Sequence, residues 1–395
     1  MKILLYSHFF APNIGGVETI VLSLARGLAE LRASNGHPEF DLALVTQTPA
    51  ENFDDCSLAF RTVRRPTIVQ LWHLIRGSDV IHIAGPSLAP LFLSWLARRP
   101  VILEHHGYQA ICPNGLLLHE PDKSVCPGHF QAGHYAKCLR CKAQQASWVR
   151  SWISLLLMFL RHWLARRVAV NLAVTQHSLR RHALPCSSVI YHGIEDPSVH
   201  SPQPEFDLAG LQTICFAFVG RFVQEKGIPV LLEAARILLA EGHTFEVRLI
   251  GDGPERRRIE EIIVRQNLSA CVHITGFLNG AALAESLRAV HVVVMPSVWE
   301  ETAGLAAIEQ MMRGRLVIAS AIGGLQEVVG PGGLTFPAGD ASALADHMKA
   351  VLQNPTLLKT LGRNARDRAL ELFLRGRMIV EHADFYRRVV RERDI

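Results

Sequence analysis

A chain of 395 residues with 49% hydrophobic and 19% charged side chains is too apolar and too evenly mixed in sign to be disordered, and long enough for two or three cored domains. Its net charge of +5 is unevenly placed: residues 1–195 carry 19 Lys and Arg against 12 Asp and Glu, and the remainder 22 against 24. A basic first half points to an anionic partner such as a membrane surface or a phosphorylated acceptor, and nucleic acid is not expected.

The chain enters a strand-like run at Met1-Lys2-Ile3-Leu4-Leu5-Tyr6 with no small-residue cleavage site, so a cytoplasmic protein with reduced thiols is expected, at most held at the inner face of the plasma membrane. Residues 3–7 read as an apolar strand, followed by the pair Gly15-Gly16, Glu18 and an amphipathic helix to about residue 31. Strand, glycine turn and helix open a doubly wound unit, whose ligands gather at strand C-termini. Without Cβ atoms the glycine pair lets backbone approach a phosphate or sugar, although such a pair is more often only a tight turn.

Further strands are expected at 41–46, 80–84 and 101–104, with helices between them, which indicates a parallel sheet. The last of these runs into Glu104-His105-His106-Gly107-Tyr108. Histidines are usually structural, yet a pair after a strand C-terminus stands where substrate is met. Between residues 112 and 141 the pattern changes to a long loop carrying Cys112, Cys126, Cys138 and Cys141. The closing CxxC has the bite of a tetrahedral metal site, so a structural zinc or other thiophilic metal is one reading, with free thiols and a disulfide as the others.

Residues 148–167 follow, rich in Trp, Leu and Phe and flanked by Arg150, Arg161, Arg166 and Arg167. The uncharged run is about half the ~20 residues needed to span a bilayer, so the segment either lies in an anionic membrane interface or packs as a core helix. Strand-like runs at 171–175 and 188–195 end a first domain at residue 195. Four prolines and glycines among polar residues mark 196–212 as a linker.

The second half repeats the alternation. A strand over 213–219 ends in Gly220-Arg221, with Lys226 before the next helix; a strand over 245–250 ends in Gly251-Asp252-Gly253-Pro254; a third over 272–275 meets Gly276-Phe277. The β-branched run 289–295 stops at Pro296 and leads through Glu301 into a helix over 304–313 whose small and apolar faces predict burial. One anion, Glu309, stands in it, and a buried carboxylate needs a partner, either a protein cation or ligand hydroxyls. The amides of Ala303, Gly304 and Leu305 offer a phosphate site, and Arg221 with Lys226 supplies cations opposite. A strand follows at 316–320, and amphipathic helices over 342–352, 355–372 and 375–393 are expected to pack outside.

This pattern resembles the retaining glycosyltransferases of the GT-B fold, family four, over nearly the whole chain. The resemblance rests on Gly15-Gly16 with Glu18, His106, Tyr191-His192-Gly193, Arg221 with Lys226, Gly251-Asp252-Gly253-Pro254, and above all Glu301 seven residues before Glu309 after Pro296-Ser297. It implies an α/β chain of two doubly wound Rossmann-like domains facing across a cleft. Residues 1–195 would bind the acceptor, 213–375 the nucleotide sugar, and a helix over 376–395 would return to the first domain.

It further implies that Arg221 and Lys226 bind the donor pyrophosphate, Glu301 the transferred sugar and Glu309 the ribose. Ala303, Gly304 and Leu305 would hold sugar and phosphate, Gly276-Phe277 would meet the base, and Gly15, Gly16 and His106 would face the reaction. The chemistry needs no metal. The implied activity is transfer of a sugar from a nucleotide diphosphate sugar to a glycan or lipid-linked acceptor, in cell-surface polysaccharide or glycolipid synthesis. Ala303 stands where an aromatic residue is common, His192 where an asparagine is, and Arg315-Leu316 where proline-valine is usual, which puts donor identity in doubt. The rival readings are a silent nucleotide-sugar-binding subunit and an epimerase or sugar phosphorylase on the same fold.

Overall fold

The computed structural model describes residues 1–51, 53–143, 147–199 and 213–393. The chain divides into two compact units, Met1–Glu195 with Leu374–Ile395, and Asp196–Phe373. Of the linker expected over 196–212, residues 200–212 lie outside the described residues.

In the first unit the strands are β1 (Lys2–Ser7), β2 (Asp41–Thr46), β3 (Arg61–Arg64), β4 (Val80–Ala84), β5 (Val101–His105), the short β6 (Leu118–His119) and β7 (Ser124–Val125), β8 (Val170–Ala173) and β9 (Ser187–Val189). The helices are α1 (Gly16–Glu30), α2 (Ile68–Arg76), α3 (Leu88–Leu96), α4 (Tyr135–Ala143), α5 (Trp148–Ala165) and α6 (Gln176–His182). Seven strands form one parallel sheet in the order β3-β2-β1-β4-β5-β8-β9, with β6 and β7 paired separately as an antiparallel ribbon in the cysteine loop. Every residue of β4 and β5 is buried, as expected of central parallel strands covered on both faces. That makes three residues in them conspicuous, His82, Glu104 and His105.

The second unit contains β10 (Cys215–Val219), α7 (Ile228–Ala240), β11 (Glu246–Ile250), α8 (Arg256–Arg265), β12 (Val272–Gly276), α9 (Gly280–Arg288) and β13 (Val292–Met295). Then come α10 (Leu305–Met312), β14 (Leu316–Ser320), α11 (Gly323–Val329), β15 (Leu334–Phe336), α12 (Ala341–Gln353) and α13 (Thr356–Leu372). The six strands are parallel in the order β12-β11-β10-β13-β14-β15, packed around a core that includes Phe216, Phe218, Leu231 and Val294. In each sheet the order reverses beside its first strand, at β1/β4 and at β10/β13. Loops leaving neighbouring strands diverge there to opposite faces, which opens a crevice at the carboxyl edge.

The last helix, α14 (Arg375–Arg393), belongs to the first unit. Its packing corrects the expectation that the terminal helices lie outside. Met378, His382, Ala383 and Tyr386 recur at helical spacing and are completely buried, so this stripe is core rather than cover. A Cβ on Gly27 of α1 would come within 2.0 Å of Ile379 Cδ1, which measures how closely α1 and α14 approach. Arg387 fastens the far end to Glu39 through bonds of 2.7 and 2.8 Å.

Candidate active site

In the second unit the loops leaving β10 and β13 are built against each other. Gly220 and Phe222 donate their amides to Ile250 and Asp252 carbonyls at 3.0 and 2.8 Å. A Cβ on Gly251 would lie 1.9 Å from Gly220 O, so this approach requires glycine. The Arg221 backbone is thereby held while its side chain is exposed and its guanidinium has no partner among the described residues. A short 3₁₀ turn, Gln224–Lys226, then ends at Gly227, where φ is +66° and a Cβ would lie 1.9 Å from Pro296 O. Val298 donates its amide to Glu225 O at 3.0 Å, and this seats the 296–301 loop on the turn that carries Lys226.

The result is an ion pair: Lys226 Nζ stands 2.9 Å from Glu301 Oε1. The Ser297 hydroxyl donates to the same oxygen, and Glu301 is only 4% exposed. Its backbone is fixed from the other side, since Gly324 donates to Glu301 O at 2.6 Å and a Cβ on Gly323 would lie 2.7 Å from Glu301 N and O. The second carboxylate oxygen, Oε2, lies 3.7 Å from where a Cβ on Gly304 would be. Gly304, at φ +85°, is the N-cap of α10 and brings no side-chain cap, so the first amides of α10 stay open beside the carboxylate. Ala303 is buried, and Leu305 half-buried.

Glu309 follows on α10. It is half-buried and has no hydrogen-bond partner among the described residues. Desolvation raises its pKa although Arg313 pulls the other way. The protein partner that burial would demand is therefore missing, which leaves ligand hydroxyls as the group that could satisfy it. The indole nitrogen of Trp299, a second buried donor without a described partner, was not legible as a site group because tryptophan in a loop ordinarily packs. Gly276 and Phe277, by contrast, lie at the end of β12, two strands from β10, with Phe277 60% exposed.

In the first unit Gly15 is the N-cap of α1, and a Cβ on it would come within 2.4 Å of the Glu18 carboxylate; Gly16 begins the helix. His106 is turned inward: Nδ1 meets His192 Nε2 at 3.1 Å and Nε2 lies 3.5 Å from Glu104 Oε2. Sequence reasoning singled out His106 but missed the group around Glu104. His82 Nε2 stands 3.1 Å from Glu104 Oε2 and His382 Nε2 3.8 Å from it, while Tyr386 hydrogen-bonds His82 Nδ1 at 2.6 Å. Burial would raise the Glu104 pKa, but the imidazoles of His106, His382 and His82 around it hold it well below the carboxylate range. Burial pushes His192 down to about 3.

Cys112, Cys126, Cys138 and Cys141 are buried free thiols lining one small cavity with His119 and His129. Burial, with the neighbouring thiols, pushes Cys138 up to about 12. Among the described residues only two groups have ligand atoms mutually within 4.8 Å, and both contain Glu104. Asn114 sits between two of the thiols, accepting from Cys112 Sγ at 2.8 Å and donating to Cys141 Sγ at 3.3 Å.

Residues 207–368 match the family described as glycosyl transferases group 1. A 2-deoxystreptamine glucosyltransferase of Streptomyces kanamyceticus is 37% identical over 141 residues, covering 35% of this chain and 36% of the relative. The chain thus spans about a third of that relative's length. A 2-deoxystreptamine N-acetyl-D-glucosaminyltransferase of Niallia circulans is 28% identical over 321 residues, 77% of this chain and 75% of its own. Among solved structures, Anabaena HepE in complex with UDP and glucose superposes with a TM-score of 0.69 at 17% identity, covering 98% of this chain and 99% of that one.

Proposed function

We propose, from the premise that the chain belongs through residues 207–368 to the glycosyl transferases group 1 family and has the GT-B fold, that it transfers a sugar from a nucleoside diphosphate sugar to a hydroxyl of a glycan or lipid-linked acceptor, retaining anomeric configuration. What carries the reading is the β10/β13 crevice, where Lys226, Glu301, the open amides of α10 and the unpartnered Glu309 follow one another. HepE was solved with UDP and glucose, a ligand pair of the same chemistry.

In this reading the pyrophosphate lies on Arg221, Lys226 and the α10 amides, where positive charge and helix dipole offset the charge that grows as the leaving group departs. Glu301 keeps Ser297 through one oxygen and takes a sugar hydroxyl through the other; Glu309 takes the ribose. The bond from the anomeric carbon to phosphate breaks, the acceptor oxygen bonds to that carbon on the same face, and the acceptor proton passes to the departing phosphate. An oxocarbenium-like transition state follows, as in glycoside hydrolysis. His106 has both ring nitrogens turned to inward partners, so the reading rests on the second unit. The transfer step asks for no metal.

A thermal-shift screen against UDP-, GDP-, ADP- and dTDP-sugars tests the donor assignment. At a concentration about 100 times its Kd the true donor adds roughly 2.7 kcal/mol of stability. A flat response to every nucleotide sugar and to the free diphosphates would overturn it.

The acceptor side of the proposal includes an anionic membrane surface. No helix among the described residues is long and apolar enough to cross a bilayer. On α5, however, Val149, Trp152, Ile153 and Leu156 are 51–68% exposed, and on α3 Trp95 and Leu96 are 44% and 55% exposed. Arg98, Arg99 and Arg167 line a groove with Trp95 beside them, and Arg167 lies 3.9 Å over the Trp163 ring. An apolar helix face edged by guanidinium groups suits insertion among anionic headgroups, and would place the protein at the cytoplasmic face of a membrane. Trp152→Ser with Leu156→Ser should abolish sedimentation with phosphatidylglycerol vesicles; sedimentation equal to that of the parent protein would defeat the idea.

A further inference from the structure

We propose that His82, Glu104 and His382 bind a single divalent transition-metal ion of the zinc class, which ties α14 to the sheet of the first unit. The site is separate from the donor crevice and does not depend on the transferase reading. Its residues come from β4, β5 and α14, a helix almost 300 positions later. Three imidazole nitrogens converge on one carboxylate oxygen: Glu104 Oε2 lies 3.1 Å from His82 Nε2, 3.5 Å from His106 Nε2 and 3.8 Å from His382 Nε2. With metal–ligand bonds of about 2.0–2.1 Å, the atoms around a tetrahedral ion stand roughly 3.3 Å apart. The ligand atoms of His82, Glu104 and His382 all lie within 4.8 Å of one another, and all three residues are buried.

Hydrogen bonding decides what the space between these atoms must hold. His382 Nδ1 meets the Met378 carbonyl at 2.8 Å. A carbonyl only accepts, so Nδ1 carries the hydrogen, and in the neutral ring Nε2 presents a lone pair to the carboxylate. That nitrogen has no hydrogen-bond partner among the described residues. Two lone pairs facing each other repel, and a cation between them relieves this, either a metal ion or a proton on His382.

The outer partners favour the metal. Ligating histidines characteristically hold their second ring nitrogen on a carbonyl or other polar group. His382 does so through Met378 and His82 through the Tyr386 hydroxyl at 2.6 Å. Two imidazoles and one carboxylate suit zinc and its neighbours, and not magnesium or calcium.

The test uses the full chain, purified without metal-affinity resin, with metal content read by mass spectrometry and stability by thermal unfolding. One zinc-class ion per chain is expected. His382→Ala and Glu104→Gln should lose it, while Cys138→Ser with Cys141→Ser keeps it. Should those variants fail to fold, the parent protein stripped with a chelator serves instead. Zinc chloride should restore its melting temperature, and cobalt should give the visible absorption of a four-coordinate ion. A parent chain that neither carries metal nor changes melting temperature on adding zinc overturns the proposal and leaves the proton on His382. So does an ion that persists in His382→Ala or disappears with the cysteines.

Discussion

Lys226→Ala should lower kcat/KM for sugar transfer by about 10²–10³-fold, the usual cost of removing a preorganised charge that meets a developing anion. The substitution has a second consequence that must be separated from the first. Lys226 is the cation paired with Glu301, whose side chain is 5% exposed, so its loss also strands a buried carboxylate and should lower stability. Arg221 provides the comparison. Its exposed guanidinium has no partner among the described residues, so Arg221→Ala should slow transfer while changing stability by less than about 0.5 kcal/mol. Steady-state kinetics with urea unfolding on both variants measures the two effects apart. Wild-type rates in both would remove the phosphate site from the account.

Gly227→Ala should be the most damaging single substitution near this site. At φ +66° a side chain is strained, and the added Cβ would meet Pro296 O at 1.9 Å, a backbone atom that cannot swing aside. The strain alone costs about 1–2 kcal/mol. Relief requires the 296–301 loop to move off the 224–226 turn, which breaks the Val298 to Glu225 hydrogen bond and carries Glu301 away from Lys226. A combined loss on the order of 3 kcal/mol is expected, along with transfer activity. Gly280→Ala is the control, because Gly280 also has a positive φ, +50°, but nothing lies within 4 Å of its Cβ position. It should show the strain without the loss of transfer. Equal melting temperatures for Gly227→Ala and Gly280→Ala would contradict the role given to the close approach.

Much of the fold was readable because several strands are apolar runs ended by glycine or proline, as at Gly220, Gly251 and Pro296, with a helix behind them. The strands that escaped were those without such a run. β3 is Arg61-Thr62-Val63-Arg64 at a sheet edge, β15 has three residues after a glycine-rich turn, and β6 and β7 have two each. Glu301 and Lys226 were legible as neighbours of strand ends, but not as partners. Their pairing depends on β10 lying beside β13, which local pattern does not express. Glu309 was expected to need a partner, and its protein neighbours supply none by hydrogen bond. The Glu104 group was hidden for a different reason: a lone acid in an apolar strand is a visible signal, yet two of its companions, His382 and Tyr386, arrive on a helix whose amphipathic pattern suggested a cover. For the four cysteines, spacing alone could not show that Asn114 stands between Cys112 and Cys141.

The most direct test of the transfer reading is to supply the nucleotide sugar selected by thermal shift and measure free UDP or GDP with and without a hydroxyl acceptor. The account predicts release that requires the acceptor and matches glycoside formed one for one, with the donor's anomeric configuration retained in the product. Binding without release would mark a silent nucleotide-sugar-binding subunit. Interconversion of the sugar nucleotide, or release needing only inorganic phosphate, would mark an epimerase or a phosphorylase, and any of these results would contradict it.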